Sequence, residues 1–140
     1  MYKFLLHQGD VKIKVQTKDD FEFYSDIVNA INETIFDSVI IKEFKKEKQK
    51  EIVFESKTKP ELLHNFIEEL VYISNYNHVI CKLKKIHFDV KNNNKIFATL
   101  DQMKVLPKNY KVEVKAASFN IIYKENEKTK EKTCEFVLDI

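Results

Sequence analysis

Hydrophobic and polar residues alternate from Val11 to Thr17, where Val11, Ile13 and Val15 interleave with Lys12, Lys14 and Gln16. This period-two pattern predicts a strand with one buried face, and it leaves Asp10 in the polar phase. The period then changes. Thr17-Lys-Asp-Asp20 offers a hydroxyl to accept an orphan N–H and carboxylates for the first turn, which predicts a helix start. That helix is expected to run to about residue 41, with Tyr24, Val28, Ile31, Ile35 and Val39 recurring at threes and fours as its core stripe. Residues 42–50, KEFKKEKQK, carry mixed charge and read as a solvated helix end and loop. EIVFES follows as a short strand. Thr58-Lys-Pro-Glu61 has capping-box spacing with Pro60 in the first turn, and it opens a second helix reaching about Tyr76. The apolar face of this helix is wide, with Leu62, Phe66, Leu70 and Ile73 on one side and Leu63, Ile67 and Val71 beside them.

From residue 79 the pattern returns to strands, at about 79–90, 95–101, 110–123 and 132–139, with Asn92-Asn93-Asn94 as the first turn. The last two strands are expected to form a hairpin over the charged loop KENEKTKEKT. In the final strand Cys134, Phe136 and Leu138 share one face and Glu135, Val137 and Asp139 the other, so Asp139 points away from the expected core. This order of elements predicts an α+β fold. Residues 1–140 are read as a single two-layer domain, a mostly antiparallel sheet with two main helices on one face.

Composition narrows the class. Hydrophobic residues make up 44% and charged residues 33% of the 140, enough apolar surface to build a core and to argue against disorder. No apolar run approaches the roughly 18 to 20 residues that span a bilayer, and MYKFLLHQGD lacks the features of a signal peptide, so a cytoplasmic location is expected. Cys81 and Cys134 match no metal or redox spacing and read as buried free thiols. All 24 basic residues are lysines. Without arginine, the residue suited to bidentate phosphate recognition, tight direct RNA binding by this chain alone is disfavoured.

The chain has a single glycine, Gly9, immediately before Asp10. A lone glycine suits a backbone position with positive φ or a close approach, so His7-Gln8-Gly9-Asp10 reads either as a shaped functional turn or as an ordinary hairpin turn. At the far end Asp139 is followed by Ile140, whose α-carboxylate is a second anion. Neighbouring carboxylates repel unless a cation or lysine neutralises them, and hard divalent cations take such oxygen ligands. Frayed, exposed termini are the competing reading. An independent hydrolase using His7 with Asp10 would need a nucleophile motif or a glycine-rich phosphate loop, and neither is present. His64, His78 and His87 lack zinc-like spacing and read as surface or satisfied-core histidines. A small stand-alone RNA- or protein-binding module is the other alternative, although the lysines are interleaved with glutamates and no known RNA-binding signature appears.

HQGDVKIKV resembles the opening of the archease family, and NAINETIFD, LLHNFIEELVYI and VEVKAASFN leading to the terminal VLDI follow in that family's order. The resemblance spans essentially the whole chain. It implies an activator, not an enzyme, that promotes guanylylation and turnover of the RtcB-type tRNA-splicing RNA ligase. It further implies a divalent metal ion, calcium or else magnesium or manganese, held by Asp10, Asp139 and the carboxylate of Ile140. His7, Asp37 and Lys115 stand at family-like positions as supporting residues. RNA would be met only indirectly, and neither membrane nor DNA is an implied partner. Gln8, Gly9, Lys12 and Asn120 depart from the family's usual residues, and Asn120 puts any role of the family's later histidine in doubt.

Overall fold

The alternation at Val11–Thr17 becomes strand β2, and it pairs antiparallel with an earlier strand, β1 (Tyr2–Leu5), that the hydrophobic pattern does not announce. The computed structural model describes residues 1–5, 9–92 and 94–140. Helix α1 (Asp20–Ile35) starts close to the predicted place, but its cap is Asp19, whose carboxylate accepts the Glu22 N–H at 2.7 Å. Thr17 instead accepts the Asp19 N–H at 3.3 Å. The helix also stops earlier than its stripe suggests. Phe36 is extended and bridges to Tyr110, and the Ile35 carbonyl accepts the Lys111 N–H at 2.6 Å, so a tertiary partner takes the place of the next helical turn. A separate short helix, α2 (Ser38–Lys42), restarts behind an Asp37 cap. In consequence Val39, expected in the core stripe, is 61% exposed, while Tyr24, Val28, Ile31 and Ile35 are buried.

Strand β3 (Lys48–Glu55) leads to helix α3 (Lys59–Tyr72), capped by Thr58 as its spacing predicts. A π turn, Ile73–Asn77, carries α3 to the expected end, and His78 closes it in the left-handed conformation at φ 53°. Leu62, Leu63, Phe66, Ile67, Leu70 and Val71 are all buried, and full burial of one such side chain contributes roughly 1.5–3 kcal/mol. Strands β4 (Val79–Phe88) and β5 (Lys95–Lys104) follow. The single strand expected over 110–123 is broken into β6 (Ala116–Ala117) and β7 (Ile122–Glu125). Ahead of β6 the chain is engaged by helices: Lys111 and Val112 donate to Ile35, and the Val114 carbonyl accepts from the Asn75 side chain at 2.8 Å. Strand β8 (Lys132–Asp139) closes the hairpin with β7.

The α+β class and the antiparallel pairing are as expected, but the strands divide between two sheets. One has five strands in the order β1-β2-β8-β6, with β7 also on β8; the other has three, β3-β5-β4. The helices bind the sheets together, since α1 packs against β2 and β4 while α3 packs against β3, β6 and β7. Tyr24, Phe54 and Phe66 meet edge to face in the shared core, with ring centroids of 5.3 Å for each contact to Phe66. Buried Asn32 on α1 donates to the Cys81 carbonyl on β4 at 2.7 Å, which satisfies both groups. Cys81 and Cys134 are buried free thiols, and burial pushes them up to about 11 and about 12. Among the described residues no helix is long and apolar enough to cross a membrane.

Candidate functional site

Strands β2 and β8 pair in unbroken register from Val11↔Leu138 to Thr17↔Lys132. One step further, the same register sets Asp10 across from Asp139. Directly opposed residues share a sheet face, with Cα atoms about 4.5–5.5 Å apart. Gly9 supplies the turn into this position at φ 77°, and a Cβ there would meet nothing within 4 Å, so backbone conformation alone calls for glycine.

Asp10 and Asp139 line one cleft of about 530 Å³ on the outer face of the five-stranded sheet. Lys12 and Glu135 line it as well, because Lys12 stands two residues from Asp10 and Glu135 four from Asp139, even spacings that keep each on the same face. The far wall is the β6–β7 segment. The Lys115 N–H donates to the Asp139 carbonyl at 2.7 Å and the Ser118 N–H to the Val137 carbonyl at 2.8 Å. Between the pairs Ala117↔Leu138 and Ile122↔Glu135, residues 118 to 121 stand opposite only 136 and 137, a bulge that opens the cleft and brings Ser118 and Asn120 to it. Glu68 of α3 secures this wall by accepting the Ala117 N–H at 2.5 Å.

Asp10, half-buried, and Asp139, exposed, are thus brought to one place from opposite ends of the sequence. The Ile140 side chain takes the alternate face, in a groove with Phe4, Val11, Glu33 and Lys111, and only its main chain continues from the cleft. Asp37 does not line the cleft. Its carboxylate accepts the Ile40 N–H at 2.9 Å as the cap of α2, and its N–H donates to the Asn109 carbonyl. Lys115 is exposed beside the cleft and reaches Asp139 through its backbone. His7 lies outside the described residues. The other histidines sit on aromatic rings: His64 stacks on Phe119 at 4.3 Å and His87 on Phe97 at 4.7 Å, while His78 approaches the Tyr110 hydroxyl at 3.3 Å. Glu135 and Lys12 were not singled out by sequence reasoning, although strand alternation put them in phase with Asp139 and Asp10. Glu68 left no such signal, since its partner is 49 residues away.

Three carboxylates and one lysine in an open cleft form a surface suited to a cation or a cationic group. Fold and cleft together define a class: a small α+β domain of two antiparallel sheets on shared helices, with an acidic cleft where its first long strand meets its last. The chain matches the model of the Archease protein family (MTH1598/TM1083) over residues 2–140 and belongs to that family. Among solved structures it resembles protein 1598 of Methanobacterium thermoautotrophicum, at 20% identity and a TM-score of 0.69, covering 99% of this chain and 98% of that one. It also resembles an archease from Thermotoga maritima, described as a possible chaperone, at 13% identity and a TM-score of 0.58, covering 100% and 98%. At those identities the likeness establishes a shared fold. No curated protein matches the chain.

Proposed function

We propose that this protein is an activator of the RtcB-type tRNA-splicing RNA ligase in the cytoplasm, and that its acidic cleft is a divalent-cation site promoting guanylylation and turnover of that ligase. The supporting observation is the meeting of Asp10 and Asp139 in one open cleft, fixed by the β2–β8 register. The donor chemistry fits a hard cation, because carboxylate oxygens are the ligands that Ca²⁺, Mg²⁺ and Mn²⁺ prefer. Among the described residues no three His, Cys, Asp or Glu side chains cluster closely enough to hold a metal. The cation would therefore be held by Asp10, Asp139 and the main-chain carboxylate of Ile140, an incomplete set that leaves positions for outside oxygens. When bound, such an ion neutralises charge that develops in phosphoryl transfer.

The residues of this chain bind and orient. Asp10 and Asp139 supply charge, Gly9 shapes the approach, and Glu68 holds the β6 wall. Turnover belongs to the ligase, and this protein alone performs none. A protein-partner role also suits the description of the Thermotoga maritima relative as a possible chaperone.

The test measures ligase guanylylation with wild type, Asp10→Ala and Asp139→Ala, alongside calorimetric titration with calcium, magnesium and manganese. Loss of both stimulation and cation binding in the two variants is the expected result. Full stimulation by folded variants of both kinds would remove the cleft from the mechanism. A C-terminal tag, which blocks the Ile140 carboxylate, should weaken cation binding as well.

A further inference from the structure

The outer face of the three-stranded sheet carries chemistry that the cleft does not use. Register sets Lys82 opposite Asp101 and His87 opposite Phe97, and the pairing shifts between Leu83 and Lys85. Leu83 and Ile86 pair with Leu100 and Ala98, which face the core. The inserted residue, Lys84, therefore projects to the same outer side as Lys82 and Lys85, and all three are exposed. Lys84 and Lys46 donate to the Gln49 side chain of β3 at 3.1 and 2.9 Å, which holds them on this surface. Carboxylates offset only part of the charge. Lys46 lies 3.7 Å from Asp101 and Lys95 lies 3.6 Å from Glu55, which leaves Lys82, Lys84 and Lys85 in excess over Glu51.

Beside the lysines the His87 and Phe97 rings stack at 4.7 Å with an interplanar angle of 9°. The Lys95 ammonium sits 5.6 Å from the Phe97 centroid, and His87 is the exposed member of the pair. A flat ring could extend this stack from the His87 side. A ligand that uses the whole surface must be a polyanion that also presents flat rings. Single-stranded nucleic acid is both, whereas an acidic peptide would match the charge and leave the stack idle.

We propose that this sheet face docks single-stranded RNA, with the backbone along Lys82, Lys84 and Lys85 and a base stacked on the His87–Phe97 pair. The choice of RNA over DNA rests on the ligase reading above; the charge and stacking argument stands without it. Because the cations are lysines, binding is salt-sensitive and without fork-type phosphate recognition.

The test is fluorescence anisotropy of a labelled oligouridylate of about twelve nucleotides, within the usual site size for such surfaces, against the full chain without ligase and over a salt series. Replacing Lys82, Lys84 and Lys85 together by alanine should flatten the log–log salt slope by about 2, given about 0.7 per phosphate contact on a single strand. His87→Ala should weaken binding about tenfold and leave that slope unchanged. All four side chains are exposed, so thermal melting should confirm intact folds. Asp139→Ala should bind the oligomer like wild type, which separates failure here from failure of the cleft reading. Absence of oligouridylate binding at low salt, or binding indifferent to these substitutions, overturns the proposal. Equal binding of oligothymidylate overturns the choice of RNA, and equal competition by polyglutamate with a silent His87→Ala overturns a nucleic acid in favour of an acidic protein.

Discussion

Glu68 is the residue on which the far wall of the cleft depends most directly. The β6 segment spans only Ala116–Ala117, and its hydrogen bonds to β8 use the flanking Lys115 and Ser118 N–H groups. The Ala117 N–H is instead accepted by Glu68 at 2.5 Å, in a residue only 5% exposed. Glu68→Ala strands this donor and removes a bond to a charged acceptor, a loss of about 2 kcal/mol. For a chain of this length that corresponds to roughly 6 °C in melting temperature. Glu68→Gln keeps an oxygen in place but forfeits the charge assistance, so about half the loss is expected. Differential scanning calorimetry measures both. The cleft effect is read separately by calcium titration, where Glu68→Ala should bind more weakly than wild type, while a variant destabilised away from the cleft should not. Wild-type melting of Glu68→Ala, or an equal drop for Glu68→Gln, would refute the assigned hydrogen bond, and unchanged calcium affinity would refute its connection to the cleft.

Asp37→Ala supplies that comparison: losing the α2 cap should cost about 1 kcal/mol by urea denaturation, while calcium binding and ligase guanylylation stay as in wild type. A selective loss of guanylylation by that variant would return Asp37 to the functional site. The buried thiols predict an alkaline weakness. Burial holds Cys81 up to about 11 and Cys134, helped by the nearby Glu135 charge, up to about 12, while the unfolded thiols titrate near 9.0. Above pH 9 the unfolded chain releases protons that the folded chain keeps, so stability falls as pH rises towards 11, by roughly 1 kcal/mol per pH unit for each thiol. Urea midpoints between pH 8 and 10.5 should show this fall, and a Cys81→Ala/Cys134→Ala double variant should flatten it; an equally steep fall in the double variant would assign it to other groups.

Strands β2 and β8 were legible because each buries one face and leaves the other polar, and α3 because Thr58 and Pro60 mark its start. The phase of Asp10 and Asp139 follows from that alternation, and it brings both to the lining of one cleft. What the sequence did not reveal was decided by partners distant along the chain. Ile35 ends α1 because Lys111 takes its carbonyl, and nothing near Ile35 reports that. The same engagement of residues 111 to 114 with helix ends breaks the strand expected over 110–123. Strand β1 carries no strong alternation and is defined by its pairing with β2. The split into two sheets is equally non-local, since each strand's pattern specifies a buried face but not which neighbour it joins. Glu68 belongs to this group too, because a polar residue on a helix flank looks solvated until the strand it caps is placed.

The acidic pair at the head of the cleft places two like charges near each other, and what fixes them there lies on the other side of the sheet. Two like charges about 4 Å apart in water repel by about 1 kcal/mol. A one-residue slip of β2 against β8 would part Asp10 from Asp139, but it would also turn the fully buried Ile13 and Val15 of β2 towards solvent. Each large apolar member of that set is worth roughly 1.5–3 kcal/mol in burial, so the core outweighs the repulsion several-fold. The carboxylates are therefore positioned by hydrophobic register, and charge relief cannot come from rearranging the strands. Lys12 already lines the cleft beside the two carboxylates, and a bound cation would add to the positive charge that it brings.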